Sequence, residues 1–279
     1  MNTRAFQDAD PAKWRDHLFG LTPERWADLK GKSFWITGAG TGYGRCIACG
    51  LAAAGTQVFL TGRREEKLKE SIQEIASFGI PTEKCHIVTA DLTLYEEIMA
   101  AANQVKNMCE ALHGLVNNAA LPEKSETGKP LQDNKLDQWK KMISTNATAP
   151  WLLTRSAFPI LKASESVKVL FMTSEAGWAS TPGVGMYNVS KAALNSLCHS
   201  MAHEYAASYP DLDIQMNALI PGEARTEMNQ GSDISPYTIV GMSLILLSHP
   251  KKGPNGKFFH RDGRHFSFAY TDPHDKPLI

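Results

Sequence analysis

The sequence predicts an α/β protein with a doubly wound parallel sheet of about seven strands and helices on both faces. Two observations carry this prediction. From Lys32 onward, short apolar runs of strand length alternate with longer segments whose apolar residues recur at helical spacing. Such alternation is how successive parallel strands are joined through covering helices. In addition, a glycine-dense turn separates the first apolar run from the first helical segment, letting the chain leave a strand and enter a helix within a few residues.

Taken in order, residues 1–31 read as a helical extension ahead of the alternating pattern. Asp10–Pro11 and Thr22–Pro23 each set a capping side chain before a proline at the first helical position. Trp14, Leu18, Phe19 and Trp26 then need apolar cover, from the chain's own sheet flank or from a neighbouring subunit. Strands are expected at 33–37, 57–61, 86–90, 115–117, 167–173, 214–219 and 257–260. A helix over 45–54 follows the glycine turn. Thr93 with Glu96 has the spacing of a capping box, and Ser235–Pro236 opens the last helix. The apolar stretch 239–247 is about half of what a bilayer span requires, so it reads as a buried helix. Residues 32–264 form one domain, and the polar residues 265–279, with Pro273 and Pro277, form an irregular tail.

Composition narrows the function. With 29 basic and 29 acidic side chains cancelling to a formal charge of +0, no overall field draws the chain to nucleic acid or an anionic membrane. The N-terminus has no apolar run of signal-peptide length. Five cysteines, an odd number spread over 279 residues, fit reduced thiols in the cytoplasm better than a disulfide framework. Cys46 and Cys49 have no second pair to make a metal site, and His199 with His203 lacks the glutamate of a zinc-protease helix. No metal is expected.

The turn after the first strand reads Thr37-Gly38-Ala39-Gly40-Thr41-Gly42-Tyr43-Gly44. Glycines allow a tight turn and close backbone approach, so that a pyrophosphate can rest on the amides of the following helix. At the end of the second strand Gly62 stands where a carboxylate would receive the ribose hydroxyls of NAD, and Arg63 and Arg64 follow it. A guanidinium there pairs with the extra 2′-phosphate of NADP, so NADPH is expected to be preferred over NADH. Tyr187 and Lys191, four residues apart, share a helix face. Carbonyl reduction leaves negative charge on oxygen and needs a proton donor beside it, which Tyr187 would be. Lys191 would lend its charge to a phenol that is otherwise too weak an acid–base group at neutral pH.

These residues, in the pattern T-G-x-x-x-G-x-G with Ser174 thirteen positions before Tyr187, resemble the short-chain dehydrogenase/reductase family over roughly residues 32–264. Asn117-Asn118-Ala119-Ala120 is similar to its N-N-A-G, Asp91-Leu92 to its adenine contact, and Pro221-Gly222 with Thr226 to the P-G-x-x-x-T that holds the nicotinamide carboxamide. Tyr43 and Ala120 depart from the commonest pattern by adding bulk. The resemblance implies a Rossmann-type fold and catalytic roles for Asn146, Ser174, Tyr187 and Lys191. The serine would orient the substrate oxygen, the lysine would bond the nicotinamide ribose, and the asparagine would hold a relay water. It also implies a homodimer or homotetramer acting on a small-molecule carbonyl or alcohol.

The connection from Thr226 to Ser235 is too short and polar to form a lid. An open cleft walled by Glu175, Trp178, Val184 and Met186, with Glu223 and Arg225 beyond, would suit a polar or bulky substrate. The cluster from His260 to His265 reads as a final strand and turn. Two other functions share the fold: a catalytically silent NADP(H)-binding regulatory or assembly protein, and a nucleotide-sugar modifying enzyme. The first tends to lack part of the catalytic set, and the second tends to carry a longer C-terminal domain.

Overall fold

The computed structural model describes residues 9–122, 129–178 and 182–266. Eight strands form one sheet in the order β3-β2-β1-β4-β5-β6-β7-β8. They are β1 (Ser33–Thr37), β2 (Gln57–Gly62), β3 (Cys85–Thr89), β4 (Gly114–Asn117), β5 (Ser166–Met172), β6 (Asp213–Ile220), β7 (Phe258–His260) and β8 (His265–Phe266). The first seven run parallel. β8 is antiparallel to β7 and lies where an irregular tail was expected. The turn between them, with Gly263 at φ +86, brings the chain back on itself.

Nine α-helices are present among the described residues: α1 (Trp14–His17), α2 (Pro23–Ala27), α3 (Gly42–Ala53), α4 (Glu65–Ser77), α5 (Tyr95–Met108), α6 (Leu136–Ile143), α7 (Ala149–Leu161), α8 (Gly185–Ser208) and α9 (Val240–Leu247). Strand alternation divides the core. Phe34 and Ile36 of β1 join a cluster with α3 and α9, whereas Trp35 between them joins the cluster under α5, α7 and α8. All five residues of β1 are buried, as a strand covered on both faces requires.

The N-terminal helices pack on the chain's own α9 side. Trp14 and Trp26 lie 6.0 Å apart, Phe19 is fully buried, and Arg25 donates to the Ile245 carbonyl and to Ser248. Asp10, Thr22 and Ser235 each cap as their sequence positions predict. Thr93 does not: Asp91 Oδ1 accepts both its amide and its hydroxyl, and α5 begins after Leu94 instead. The connection from Glu227 to Ile234 contains no helix.

Strand order reverses between β1 and β4, and an open sheet places a crevice beyond the carboxyl ends of the strands at such a point.

Candidate active site

A cleft of about 360 Å³ opens at that switch point. Its floor is tied together by Thr37. The Thr37 hydroxyl donates to Val116 O at 3.2 Å and accepts the amides of Asn118 and Ala119 at 3.0 and 3.1 Å, joining the ends of β1 and β4. Asn118 Nδ2 returns the tie, donating to Thr37 O at 2.9 Å and Gly38 O at 3.2 Å. The glycines are needed for this approach. A Cβ on Gly44 would stand 2.4 Å from Gly38 O and 2.5 Å from Asn118 Nδ2, and Gly38 and Gly42 adopt φ +64 and +53. Arg45 fastens the turn from beneath, donating to Gly40 O at 3.1 Å and to Glu74 at 2.9 Å.

One end of the cleft is basic. Gly62, Arg63, Arg64, Asp91 and Leu92 line it, together with Lys67, whose part sequence reasoning missed. The i, i+4 distance of Lys67 from Arg63 on the way into α4 is the signal that was available. Arg64 pairs with Glu227 at 2.7 Å, while the nearest carboxylate to Arg63 is Asp91 at 4.0 Å. Burial pulls the Asp91 carboxyl upward, but hydrogen bonds from Thr93 and the charges of Arg63 and Lys141 hold it below the ordinary value.

At the other end stand Tyr187 and Lys191, brought to one face by the first two turns of α8. Lys191 Nζ lies 5.6 Å from the centre of the Tyr187 ring and donates to Met172 O at 2.8 Å. Burial lowers its pKa to about 7. Burial raises the Tyr187 phenol, and a hydrogen bond with the Ser174 side chain opposes that rise. The phenol is therefore protonated at neutral pH, the state a proton donor needs. Ser174 follows β5 and its hydroxyl also accepts the Ala176 amide at 3.1 Å.

Asn146 sits in a π-helical turn, Ser144–Thr148, a rare bulge found disproportionately at functional sites. Its side chain is fully buried. Oδ1 accepts the Leu121 amide at 2.7 Å, and Nδ2 donates to Leu121 O and to Ser190, both at 3.0 Å. It thereby ties the segment after β4 to α8 and does not line the cleft. The neighbouring Thr145 does, and its buried hydroxyl has no partner among the described residues.

Of the other residues singled out in the sequence, Gly38, Gly40, Thr41, Gly42, Tyr43, Asn118, Ala119, Pro221 and Thr226 line the cleft, and Gly44 and Gly222 do not. Ser174, Glu175, Trp178, Val184 and Met186 do not line it. Trp178 packs against Phe258 and Phe266, Met186 is buried, and Glu175 is exposed beside His260 at 3.9 Å. Glu227 and Met228 line the cleft and were read only as connection.

The site suits a dinucleotide. The glycine turn leads into a twelve-residue helix that no side chain caps, leaving the N-terminal amides for an anion. The unpartnered Thr145 hydroxyl is a buried polar group of the kind that a ligand completes.

Residues 32–235 match the family model described as short chain dehydrogenase. The chain is 28% identical over 255 residues to the 3-oxoacyl-(acyl-carrier-protein) reductase FabG of Aquifex aeolicus, spanning 85% of this chain and 98% of that protein. It is 30% identical over 210 residues to 11-beta-hydroxysteroid dehydrogenase 1A of Arabidopsis thaliana, 75% of this chain but 56% of the plant protein, so this match spans just over half of that relative's length. Among solved structures it resembles a short chain dehydrogenase from Salmonella enterica serovar Typhi, with TM-score 0.74 and 26% identity over 86% of this chain and 99% of that one. A metagenomic short-chain oxidoreductase in complex with NADP gives TM-score 0.69 and 29% identity over 81% and 94%.

Proposed function

This chain belongs to the short-chain dehydrogenase family and is an oxidoreductase of it, and from that premise we propose that it works with NADP(H) on a carbonyl or alcohol carbon of a small, polar or bulky substrate. The bound nicotinamide supplies or accepts the hydride. Everything else falls to the chain. The turn from Gly38 to Gly44 holds the pyrophosphate on the N-terminus of α3, and Asp91, Leu92, Asn118 and Ala119 face the adenosine half. Pro221 and Thr226 would hold the carboxamide, with Gly222 shaping the loop between them, and Arg63 would meet the 2′-phosphate.

Tyr187 gives its proton to the substrate oxygen in reduction and takes it back in oxidation. The Ser174 hydroxyl, which lowers the pKa of that phenol, orients the same oxygen. Lys191, drawn down by burial, holds the ribose and biases the phenol. Asn146, by linking Leu121 to Ser190, fixes the α8 turn that carries Tyr187.

The observation that carries this reading is Tyr187 with Lys191 at hand, Nζ 5.6 Å from the centre of its ring, at the far end of the cleft that starts on the glycine turn. The helix-free connection after Thr226 supports a polar or bulky substrate, because its mostly polar residues cannot seal an apolar pocket. The relative that matches over nearly its whole length is named for a carrier-linked 3-oxoacyl substrate, which is bulky in this sense. The test is NADPH oxidation against a panel of 3-oxoacyl thioesters and polar ketones. A chain that binds NADPH and turns over none of them is instead a nucleotide-responsive binding protein.

A further inference from the structure

Tyr43 stands in the glycine turn where a small aliphatic residue is usual, and its side chain reaches out of that turn. The Tyr43 hydroxyl donates to Gly222 O at 2.8 Å, in the loop that follows β6. From the opposite side, Arg261 Nη1 donates to Pro221 O at 2.9 Å and to Glu223 O at 2.6 Å. Three successive carbonyls, those of Pro221, Gly222 and Glu223, are thus each held by a side chain from another element.

The loop is boxed in elsewhere too. Gly222 has φ +63, and a Cβ there would meet His260 Nε2 at 3.1 Å and Arg261 Cζ at 3.2 Å. Burial drives the Tyr43 phenol upward, so it is a donor at any pH the protein meets. Tyr43 also lines the cleft beside Tyr187, Pro221 and Thr226.

A polar loop with few apolar contacts opens readily, and ordering it on binding would cost affinity. Here the loop is ordered beforehand by bonds that reach it from both sides. We propose that Tyr43 is a positioning residue for the nicotinamide end of the cofactor, acting with Arg261 to hold the loop of residues 221–223 at a fixed distance from the glycine turn. This rests on reading the cleft as an NADP(H) site.

Tyr43→Phe removes the hydroxyl and keeps the ring. The measurement is titration calorimetry of the full chain with two probes: NADPH, and 2′,5′-ADP, which carries the 2′-phosphate but no nicotinamide. The expected result is NADPH binding weakened by about five- to tenfold, the worth of one shielded hydrogen bond, with 2′,5′-ADP affinity unchanged. Arg261→Met should show the same selectivity. Equal NADPH affinity in the Phe variant and the unaltered protein overturns the proposal. Parallel loss of both probes also overturns it, since that marks general damage to the site. Failure of the unaltered protein to bind either probe overturns the cofactor reading itself and this proposal with it.

Discussion

The Ser174 side chain acts on the Tyr187 phenol, holding its pKa down, although thirteen residues and the β5-to-α8 connection separate them in the chain. Its polar contact opposes the rise that burial imposes on the phenol. Ser174→Ala should therefore move the pH profile of alcohol oxidation to higher pH, because oxidation needs the phenolate as base. It should also lower kcat/KM by about a hundredfold, as loss of a polarising hydroxyl at a reacting oxygen does. An unchanged profile would show that the serine does not act on Tyr187.

Lys191 leads to a prediction about stability. Burial takes its pKa from the ordinary 10.5 to about 7 in the folded chain. Between those values the unfolded chain binds more protons, so the site's contribution to stability rises with pH from about 7 to 10.5. Denaturant unfolding of the cofactor-free protein and of Lys191→Met should differ by an amount that shifts in favour of the unaltered protein across this window, at up to about 1.4 kcal/mol per pH unit. The Tyr187 phenol, raised above the ordinary 10.0, stays protonated over most of this window in both proteins. A pH-independent difference would mean that Lys191 is not desolvated.

Cofactor preference should reside in Arg63. Among the described residues its nearest carboxylate, Asp91, is 4.0 Å away, whereas Arg64 is engaged with Glu227. Arg63→Ala should weaken NADPH by about tenfold or more, the loss of a charge-assisted contact, and leave NADH unchanged. Gly62→Asp should reverse the preference. Space allows it, since a Cβ at Gly62 would meet Leu68 at an ordinary 3.4 Å. Dissociation constants from protein fluorescence quenching decide both, and equal affinities in the unaltered protein would refute the assignment.

Gly44→Ala should damage fold and binding together. Its Cβ would fall 2.4 Å from the Gly38 carbonyl, a backbone atom that cannot swing away. A loss of about 1–3 kcal/mol is expected for such overpacking, and circular-dichroism melting in the absence of cofactor reads it.

These sites differ in how far they could be seen in the sequence. β1 was legible because both its faces are buried, giving the apolar run Phe34-Trp35-Ile36. β8 was not, because a two-residue strand has no pattern of its own and exists only through pairing with β7. The capping box at Thr93 failed because Asp91, two residues away, offers a nearer acceptor. Gly38 to Gly44, Tyr187 and Lys191 stood out because short spacings on one turn or one helix face fix their geometry. The bond from Tyr43 to Gly222 spans 179 positions, and no local pattern announces it. The same holds for Arg261, which reads in sequence as part of a turn and in space as a clamp. The side chains read as substrate walls followed proximity in sequence to Ser174 and Tyr187, but Trp178 finds Phe258 and Phe266 instead.

The account stands most directly on Tyr187 as the proton donor. Steady-state turnover of Tyr187→Phe, with NADPH affinity measured alongside, is the decisive test. The variant should bind NADPH much as the unaltered protein does and lose turnover by at least about a thousandfold, since only the proton in flight is removed. A phenylalanine variant that binds NADPH and keeps more than about a tenth of the activity would contradict the mechanism.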